Sequence, residues 1–357
     1  MTIFHSLKIR DVQRETRDAV SISFEIPAEL REAYRFTQGQ HLTLRHMLDG
    51  EECRRSYSIC SAVGDTELRV AIKKIDGGKF STHANENLKA GEMIEVMEPQ
   101  GRFFTPLDPD HRKHYVAFAA GSGITPIISI IRSVLKAEPG SRVTLVYGNR
   151  RVSSILFLEQ LEDLKNLYPA RFNLLHILSR EPQEADLLNG RITTQKCQEL
   201  FDDVIDIKTV DEVFLCGPEQ MIMAVRDFLT EEGFEKEHIH FELFITDAAI
   251  KAGNTPKVVE EPKGPLREVE VVLAGRTSKV EVAEEGQSIL DAAYFQGLDV
   301  PFACKGGVCS TCRAKVLKGE VRMDLNYALE DDEVAEGYVL TCQSHPLTDD
   351  VVVDYDA

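Results

Sequence analysis

The stretch Ala119-Ala120-Gly121-Ser122-Gly123-Ile124-Thr125-Pro126 decides the fold of the central part of the chain. It ends one apolar run and precedes a segment of helical length with an amphipathic pattern. Buried parallel strands appear as continuous apolar runs, and the same alternation recurs three more times along the chain. The predicted strands are 115–119, 143–147, 172–178 and 212–216, and the predicted helices lie near 125–137, 155–167, 192–201 and 219–232. The sequence therefore predicts a doubly wound α/β domain over residues 109–245.

The turn within this stretch, Gly121-Ser122-Gly123, lies where the first predicted strand meets its helix. In doubly wound sheets this carboxyl edge binds ligands. Glycine lets the backbone approach a pyrophosphate closely, and Pro126 suits a first helical turn. Pro126 also replaces the third glycine of the G-x-G-x-x-G fingerprint, which argues against a simple Rossmann dehydrogenase.

The first hundred residues have a different pattern, in which apolar and polar side chains alternate over short runs. These runs are Val20–Phe24, His41–Leu44, Leu68–Ile72 and Met93–Val96, and turn residues separate them. Such spacing predicts a small antiparallel β-barrel over residues 1–108.

Two segments of the predicted barrel contain side chains that suit a flavin dinucleotide. Residues 54–61 read Arg-Arg-Ser-Tyr-Ser-Ile-Cys-Ser, and residues 77–82 read Gly-Gly-Lys-Phe-Ser-Thr. An arginine can bind a diphosphate, an aromatic ring can stack on a flat heterocycle, and a glycine turn can open a helix beneath a phosphate. Taken alone, each feature also fits a half-buried strand residue or a plain turn.

The composition excludes several classes of protein. The chain has 357 residues and a formal net charge of −18, and since phosphate binding needs clustered cations, we expect no nucleic-acid partner. No apolar run is long enough to span a bilayer, and the first residues, MTIFHSLKIRDVQRE, lack the apolar stretch of a secretory signal. We therefore expect a cytoplasmic protein without a membrane partner, whose eight cysteines are reduced.

The last part of the chain is compositionally distinct. Residues 246–266 are polar, contain three prolines and have no sustained period, which predicts a linker. Residues 267–357 carry 18 acidic and only 8 basic side chains. Their pattern of two short strands, at 269–273 and 280–282, and a helical stretch at 288–295 predicts a compact α+β domain.

Four cysteines of this C-terminal domain have the spacing Cys304-x4-Cys309-x2-Cys312-x29-Cys342. Three thiolates on one tight loop and a fourth from a distant strand form the plant-type arrangement for a 2Fe-2S cluster. Gly306 and Gly307 would let backbone N–H groups approach the sulfurs. A structural zinc site is the alternative, although zinc usually takes two separated Cys-x2-Cys pairs.

The motifs also resemble known families. The four cysteines and their glycines are similar to plant-type ferredoxins, whose β-grasp domain transfers one electron at a time. RxYSxxS at 55–61, GGxxS at 77–81, GSGITP at 121–126 and LCGP at 215–218 resemble, in this order, the ferredoxin-NADP reductase family. The whole chain thus resembles a three-domain oxygenase reductase. Segments 189–192 and 240–244 and the domain order are most similar to the reductase subunits of phenylacetyl-CoA epoxygenases, and less closely to those of ketosteroid hydroxylases and Rieske oxygenases.

The resemblance implies roles for five residues of the predicted barrel. Arg55 would bind the FAD diphosphate, Tyr57 would pack on the isoalloxazine ring, and Ser58 would hydrogen-bond near its N5. Gly78 and Ser81 would hold the pyrophosphate.

The resemblance also implies roles in the central domain. Phe244 would cover the other face of the isoalloxazine, and Cys216 and Glu242 would lie beside the nicotinamide where hydride passes. For Cys216 the alternative is an ordinary buried thiol in the core. The residues implied in framing the nucleotide are Gly121, Gly123, Thr125, Pro126, Gly217 and Pro218.

Charge at the strand ends bears on the choice of nicotinamide. NAD-preferring sheets commonly place an acid after the second strand, where it binds the ribose hydroxyls and would repel a 2′-phosphate. Here Arg150 follows the second strand, and Ser179 and Arg180 end the third. Cations without an acid favour NADPH over NADH, unless these arginines are merely solvated loop residues.

The predicted cofactors imply a direction of electron flow. A nicotinamide gives two electrons as hydride and a 2Fe-2S cluster accepts one, so a flavin that can be half reduced is needed between them. The sequence thus predicts an oxidoreductase that passes electrons from NADPH through FAD and the cluster to an oxygenase on a separate chain. The acidic excess predicts docking to a basic patch on that partner, or simply solubility. A nucleotide-binding sensor with a structural zinc site is the alternative from another class.

Overall fold

The computed structural model describes residues 4–244 and 262–357, which form three domains. The first is a six-stranded antiparallel sheet in the order β4-β3-β6-β1-β2-β5. Ile59, just beyond β4, bridges Val70 of β5 and so closes the sheet into a barrel. The strands are β1 (Phe4–Thr16), β2 (Ala19–Glu25), β3 (His41–Leu48), β4 (Glu51–Ser58), β5 (Leu68–Lys73) and β6 (Met93–Met97), with one helix, α1 (Lys79–Glu86).

Alternation explains why these strands form a barrel. Leu7 and Ile9 of β1, Leu42 and Leu44 of β3, and Ile94 of β6 are fully or almost fully buried in one apolar cluster. Their period of two directs every second side chain inward, as the sequence predicts for this domain. Asp49 and Gly50 both adopt left-handed backbone conformations, and this turn joins β3 to β4 as a hairpin.

The second domain is a five-stranded parallel sheet in the order β11-β10-β7-β8-β9. Its strands are β7 (His114–Ala120), β8 (Arg142–Asn149), β9 (Phe172–Leu178), β10 (Glu212–Gly217) and β11 (Ile239–Leu243). Its helices are α2 (Ile124–Ala137), α3 (Leu158–Leu167), α4 (Thr194–Asp203) and α5 (Glu219–Glu231). Separate apolar clusters cover the two faces of the sheet, which confirms the doubly wound prediction.

The predicted helix near 155–167 begins later than expected, at Leu158. Phe157 has a φ of 60°, a left-handed conformation that cannot continue a helix. Strands β1 and β11, which the sequence analysis did not predict, complete the barrel and the edge of the parallel sheet.

The third domain is a mixed sheet in the order β13-β12-β18-β14-β16, with a separate pair, β15-β17. Strands β12 and β18 are parallel and pack with one helix over a single core, which matches the predicted β-grasp architecture. The elements are β12 (Lys263–Leu273), β13 (Arg276–Glu285), α6 (Ile289–Phe295), β14 (Arg313–Lys318), β15 (Val321–Met323), α7 (Asp331–Ala335), β16 (Tyr338–Leu340), β17 (Ser344–Pro346) and β18 (Val352–Asp354).

The predicted linker, 246–266, falls mostly outside the described residues, and its last four residues belong to β12. The predicted boundary at 108 falls between β6 and β7. Among the described helices, none combines the length and the apolar composition needed to cross a membrane.

Candidate functional site

The flavin candidates lie where β4 ends beside the first turn of α1. The ring of Tyr57 lies 5.6 Å from the ring of Phe80. Arg55 Nη1 donates to the carbonyl oxygen of Arg54 at 2.8 Å. Ser58, the last residue of β4, pairs with His41 of β3 across the hairpin.

The glycine turn before α1 is held by its own hydrogen bonds. Gly78 precedes the helix, and Ser81 Oγ accepts from the N–H of Ile75 at 3.2 Å. The first amides of any helix lack intrahelical acceptors and therefore attract anions. Tyr57 of β4 and the turn at Gly78 that opens α1 are thus neighbours in the barrel, through the contact of Tyr57 with Phe80.

The second group of candidates lies at the switch point of the parallel sheet, between β7 and β10. A Cβ on Gly123 would lie 2.0 Å from the carbonyl oxygen of Cys216, so the turn after β7 packs directly on β10. Gly121 has a φ of +55°, and its Cβ position faces open space. The turn is therefore packed against β10 at Gly123 and open at Gly121.

Side chains around this turn hold its shape. Thr125 Oγ1 donates to the carbonyl oxygen of Ser122 at 3.0 Å, and Tyr147 OH donates to that of Gly121 at 2.9 Å. Pro126 is buried in the first turn of α2. Gly217 ends β10 and Pro218 directly precedes α5, so this connection and the turn after β7 lie at the same end of the sheet.

Ser58, Cys216 and Glu242 meet where the barrel contacts the parallel sheet. Ser58 Oγ donates to Glu242 Oε2 at 3.2 Å, although the two residues belong to different domains. Cys216 and Glu242 are register partners on β10 and β11. Phe244 packs against the apolar cluster that contains Cys216.

Burial controls the charge of this group. It raises the pKa of Glu242 to about 8, with the Ser58 hydrogen bond opposing the shift and nearby Cys309 adding to it. Burial likewise raises the pKa of the Cys216 thiol well above its ordinary value, and Cys216 has no exposed surface. Cys216 is therefore a buried thiol in the core, which is the alternative considered for it in the sequence analysis.

The residues predicted to select NADPH lie at the ends of β8 and β9. The N–H of Arg180 donates to the carbonyl oxygen of Arg150 at 2.9 Å, and that of Ser179 donates to Asn149 at 3.0 Å. The side chains of Arg150 and Arg180 are exposed. Two guanidinium groups thus extend from adjacent backbone positions at the carboxyl edge.

The four cysteines of the C-terminal domain are arranged as two pairs. Cys304 raises the pKa of the Cys309 thiol well above its ordinary value, and Cys312 does the same to the Cys342 thiol, with burial adding to both shifts. In the part of the chain that the structure describes, no three His, Cys, Asp or Glu side chains are arranged to hold one metal ion. Two thiolate pairs suit a binuclear 2Fe-2S cluster, with one pair for each iron, better than a single zinc ion.

The loop between these cysteines exposes backbone donors to the sulfurs. Lys305 and Ser310 have left-handed φ values of 52° and 49°. The N–H of Gly306 donates to Cys304 Sγ at 3.2 Å. Gly307 has a φ of +75°, and a Cβ there would lie 3.1 Å from the carbonyl oxygen of Leu325. Such donors stabilise the negative charge of a thiolate-bound cluster, so the loop fits this group.

Two buried polar atoms that the sequence analysis missed also fit the predicted cofactors. His41 Nε2 and Asn149 Nδ2 have no hydrogen-bond partner among the described residues. His41 lies beside Ser58, and burial lowers its pKa to about 4. Counting back from the Asp49-Gly50 hairpin turn pairs His41 with Ser58, so the sequence held a signal for this residue. Asn149 ends β8 beside the nucleotide crevice.

The three domains surround a cavity of about 940 Å³. Its walls include His41 and Phe103 of the barrel, Glu242 of the parallel sheet, and Cys309 of the cysteine loop. Glu242 thus lies between the predicted flavin contacts and the predicted iron ligands.

Comparisons with known proteins divide the chain into the same three domains. The chain matches an oxidoreductase FAD-binding domain at residues 6–105, an oxidoreductase NAD-binding domain at 118–227 and a 2Fe-2S iron-sulfur cluster binding domain at 271–347. These matches confirm FAD and 2Fe-2S as the predicted cofactors and oxidoreductase as the predicted class.

Full-length relatives share all three domains. One component of the 1,2-phenylacetyl-CoA epoxidase of Escherichia coli (strain K12) is 48% identical over 357 residues, which cover 100% of this chain and 99% of that protein. The ferredoxin reductase component of 3-ketosteroid-9-alpha-monooxygenase from Rhodococcus rhodochrous is 33% identical, over 98% of this chain and 96% of that protein. The solved structure of phthalate dioxygenase reductase aligns with a TM-score of 0.59 at 24% identity over 98% of each chain, and shows the same fold.

Proposed function

Because the chain belongs to the family of oxygenase reductases that contain FAD and a 2Fe-2S cluster, we propose that it carries electrons from NADPH to a phenylacetyl-CoA epoxygenase. The observation that carries the electron path is the position of Glu242. This carboxyl accepts a hydrogen bond from Ser58 of the flavin domain and lies close enough to Cys309 of the cluster loop for Cys309 to raise its pKa. The proposed nicotinamide, flavin and cluster sites are thus all adjacent to Glu242.

In this proposal the barrel holds FAD. Arg55 binds the diphosphate, together with the amides of the Gly78–Ser81 turn, because both a guanidinium and a helix N-terminus favour anions. Tyr57 would pack on the isoalloxazine, and Ser58 would hydrogen-bond near its N5, with its one hydroxyl proton on either N5 or Glu242. Phe244 would cover the opposite ring face. Bound FAD supplies the conversion of one hydride into two single electrons.

The crevice between β7 and β10 holds the dinucleotide. Gly121, Gly123, Thr125 and Pro126 form the turn over which its pyrophosphate lies. Gly217 and Pro218 face them from β10. This assignment is supported by the open space above Gly121 and by Asn149 Nδ2, which has no hydrogen-bond partner within the described ranges.

Cys216 and Glu242 position the nicotinamide for hydride transfer. Their backbones are adjacent in the sheet, and Glu242 is fixed by Ser58. Since Cys216 has no exposed surface, its role is to support the nicotinamide site from within the apolar cluster against which Phe244 packs. Glu242 excludes water and accepts the Ser58 hydrogen bond that orients the hydroxyl.

Arg150 and Arg180, with Ser179 beside them, select NADPH. Their guanidinium groups carry the charge that a 2′-phosphate requires, and their shared backbone hydrogen bond fixes their spacing. Cys304, Cys309, Cys312 and Cys342 hold the 2Fe-2S cluster.

The terminal partner is proposed from a relative that is 48% identical and aligns over 99% of its own length. That relative is part of a 1,2-phenylacetyl-CoA epoxidase, so the partner of this chain is an oxygenase of that substrate class. The ketosteroid monooxygenase reductases are the second candidates, because they cover the same length at 33% identity.

A reconstitution tests this function. The purified chain is mixed with NADPH, phenylacetyl-CoA and the oxygenase subunits of a phenylacetyl-CoA epoxidase, and the ring-epoxide product is measured by mass spectrometry. A parallel mixture contains a ketosteroid hydroxylase and its steroid substrate. Product in the first mixture alone supports the proposal. Product in the second alone would assign the chain to the ketosteroid group.

A further inference from the structure

Gln343 directly follows the last of the four cysteines, and its side chain is buried between two parts of the cysteine site. Its Nε2 atom donates to the carbonyl oxygens of Lys305 and Cys342, at 3.0 Å each. The same atom lies 3.7 Å from Cys342 Sγ. Because both oxygens are acceptors, the side of the amide that faces them is its NH2 group, which has two protons to donate. One side chain therefore joins the loop that begins at Cys304 to the segment that contains Cys342.

The peptide between Lys305 and Gly306 links Gln343 to a second cysteine sulfur. Its carbonyl oxygen accepts from Gln343, and its N–H, which belongs to Gly306, donates to Cys304 Sγ at 3.2 Å. In a planar trans peptide the C=O and the N–H point in opposite directions. As long as Gln343 holds the carbonyl oxygen, the N–H on the other side of the peptide therefore faces the sulfur.

This peptide needs a restraint because Lys305 has an unfavourable backbone conformation. Its φ of 52° is left-handed, which residues with a Cβ rarely adopt. The Lys305 side chain is held separately, by an ion pair with Asp291 at 2.7 Å and by the ring of Phe302 at 4.5 Å. Those contacts fix the ammonium group but not the carbonyl group. The hydrogen bond from Gln343 is what holds the carbonyl, and with it the orientation of the peptide.

Gln343 is itself held in place by its neighbours. Its carbonyl oxygen accepts from the N–H of Asp324 at 2.8 Å. Thr341, two residues earlier, donates to the carbonyl oxygen of Cys312 from its N–H at 3.1 Å and from its hydroxyl at 2.9 Å. Gly307 allows the cysteine loop to approach, since a Cβ there would lie 3.3 Å from Gln343 Cγ. The amide of Gln343 thus belongs to a rigid frame around the four cysteines.

We propose that Gln343 is a positioning residue for the 2Fe-2S cluster. It turns the Lys305–Gly306 peptide so that the N–H donates to Cys304 Sγ, and its own amide supplies a further donor beside Cys342 Sγ. This inference rests on the proposed function, in which these cysteines hold the cluster. Hydrogen bonds to the ligand sulfurs stabilise the more negative, reduced state and so raise the reduction potential. Gln343 therefore makes the cluster easier to reduce.

Two substitutions in the full-length protein remove the donor. Gln343→Met replaces the amide by an apolar side chain of similar length, and Gln343→Glu keeps the shape but has no proton to donate when it is ionised. Gln296→Met is the matched control, because exposed Gln296 of the same domain also donates to a backbone carbonyl, that of Glu281 at 2.8 Å. An anaerobic redox titration gives the midpoint potential of the cluster by electron paramagnetic resonance and that of the flavin by visible absorbance.

We expect Gln343→Met to lower the one-electron equilibrium constant for cluster reduction by about threefold to tenfold, which is a fall of about 28 to 59 mV in midpoint potential. Gln343→Glu should lower the potential at least as far, because its carboxylate also repels the added electron. The flavin potential should stay the same in both, and Gln296→Met should change neither potential. Electron–nuclear double resonance before and after transfer to D2O should detect fewer exchangeable protons coupled to the reduced cluster in Gln343→Met than in the wild type.

Wild-type cluster potentials in the Gln343 variants would overturn the inference, and so would an equal fall in Gln296→Met. If Gln343→Met assembles no cluster, Gln343→Glu gives the deciding potential, because it preserves the volume of the side chain. Absence of iron and sulfide from both variants, with Gln296→Met fully loaded, would also overturn it, since Gln343 would then be needed to hold the cluster rather than to set its potential. Failure of the proposed function looks different, because the wild-type protein itself would then lack iron and sulfide.

Discussion

Ser58 Oγ and Glu242 Oε2 lie 3.2 Å apart and join the flavin domain to the nucleotide domain by a partly buried hydrogen bond. Strand β4 ends at Ser58, and β11 presents Glu242 next to Cys216, so two separately folded sheets fix the geometry of the proposed hydride-transfer site.

This hydrogen bond should matter for hydride transfer. We expect Glu242→Ala to slow flavin reduction by NADPH by about tenfold to a hundredfold, because the Ser58 hydroxyl loses its orientation. Ser58→Thr keeps a hydroxyl and should retain most of the rate. Glu237→Gln, an exposed change just before β11, is the matched control. Anaerobic stopped-flow bleaching of the flavin gives each rate, and an equal loss in the control would contradict the assignment.

The nucleotide turn allows a steric test. A Cβ at Gly123 would lie 2.0 Å from the Cys216 carbonyl oxygen, so Gly123→Ala must displace the turn. We expect the KM for NADPH to rise by about tenfold or more, while the flavin and cluster spectra persist. Ser122→Ala changes the same turn without this clash and should bind NADPH normally. Unchanged NADPH kinetics in Gly123→Ala would exclude the turn from the site.

The nicotinamide preference should depend on two arginines. Replacing Arg150 or Arg180 with glutamine should lower kcat/KM for NADPH by about tenfold and leave that for NADH nearly unchanged, because each removes a charge-assisted contact to the 2′-phosphate. Lys208→Gln, an exposed change just before β10 at the amino ends of the strands, is the control. Equal losses with both nucleotides would mean that the arginines serve the fold rather than the selection of NADPH.

A buried carboxylate should make the nucleotide domain sensitive to acid. Burial would raise the pKa of Glu212, but hydrogen bonds from His240, Lys113 and His238 outweigh it and lower the pKa from 4.5 to about 2. Because the folded-state pKa is depressed, the stabilisation is complete above pH 4.5 and is lost as the pH falls towards 2.

Glu212→Gln should therefore destabilise the domain by about 2 kcal/mol at neutral pH and reduce its acid sensitivity. Circular dichroism follows the denaturation, since the chain contains no tryptophan. Exposed Glu232→Gln is the control. If Glu212→Gln denatures over the same range of acid pH as the wild type, other carboxylates determine the acid sensitivity of the domain.

The sequence predicted the parts of this protein whose signals are local. The Gly121–Pro126 turn and the apolar runs around it indicated the parallel sheet, because both depend on neighbours along the chain. The spacing from Cys304 to Cys342 indicated the cluster loop in the same way. Strand β11 was missed because its five residues contain polar His240 and Glu242, which interrupt the apolar run expected for a buried strand.

Contacts between domains carried no such signal. Arg102 and Glu333 are 231 positions apart, and each reads as an ordinary charged surface residue. Arg54 looked like a companion of Arg55, yet its guanidinium lies against Phe302 of another domain. Only the packing of complete domains places these groups together, so these contacts could not be derived from periodicity or motif.

The most direct test of the central claim is an anaerobic titration with NADPH, followed by visible absorbance and electron paramagnetic resonance, on wild-type protein and on Cys304→Ser. In the wild type we predict flavin bleaching and then a rhombic signal from a reduced 2Fe-2S cluster, with inorganic sulfide present. Cys304→Ser should still bleach its flavin and reduce ferricyanide but lose the signal and the reduction of cytochrome c, whereas Cys197→Ala should keep both. A wild-type protein that lacks sulfide, or that reduces cytochrome c equally well without Cys304, would contradict the account.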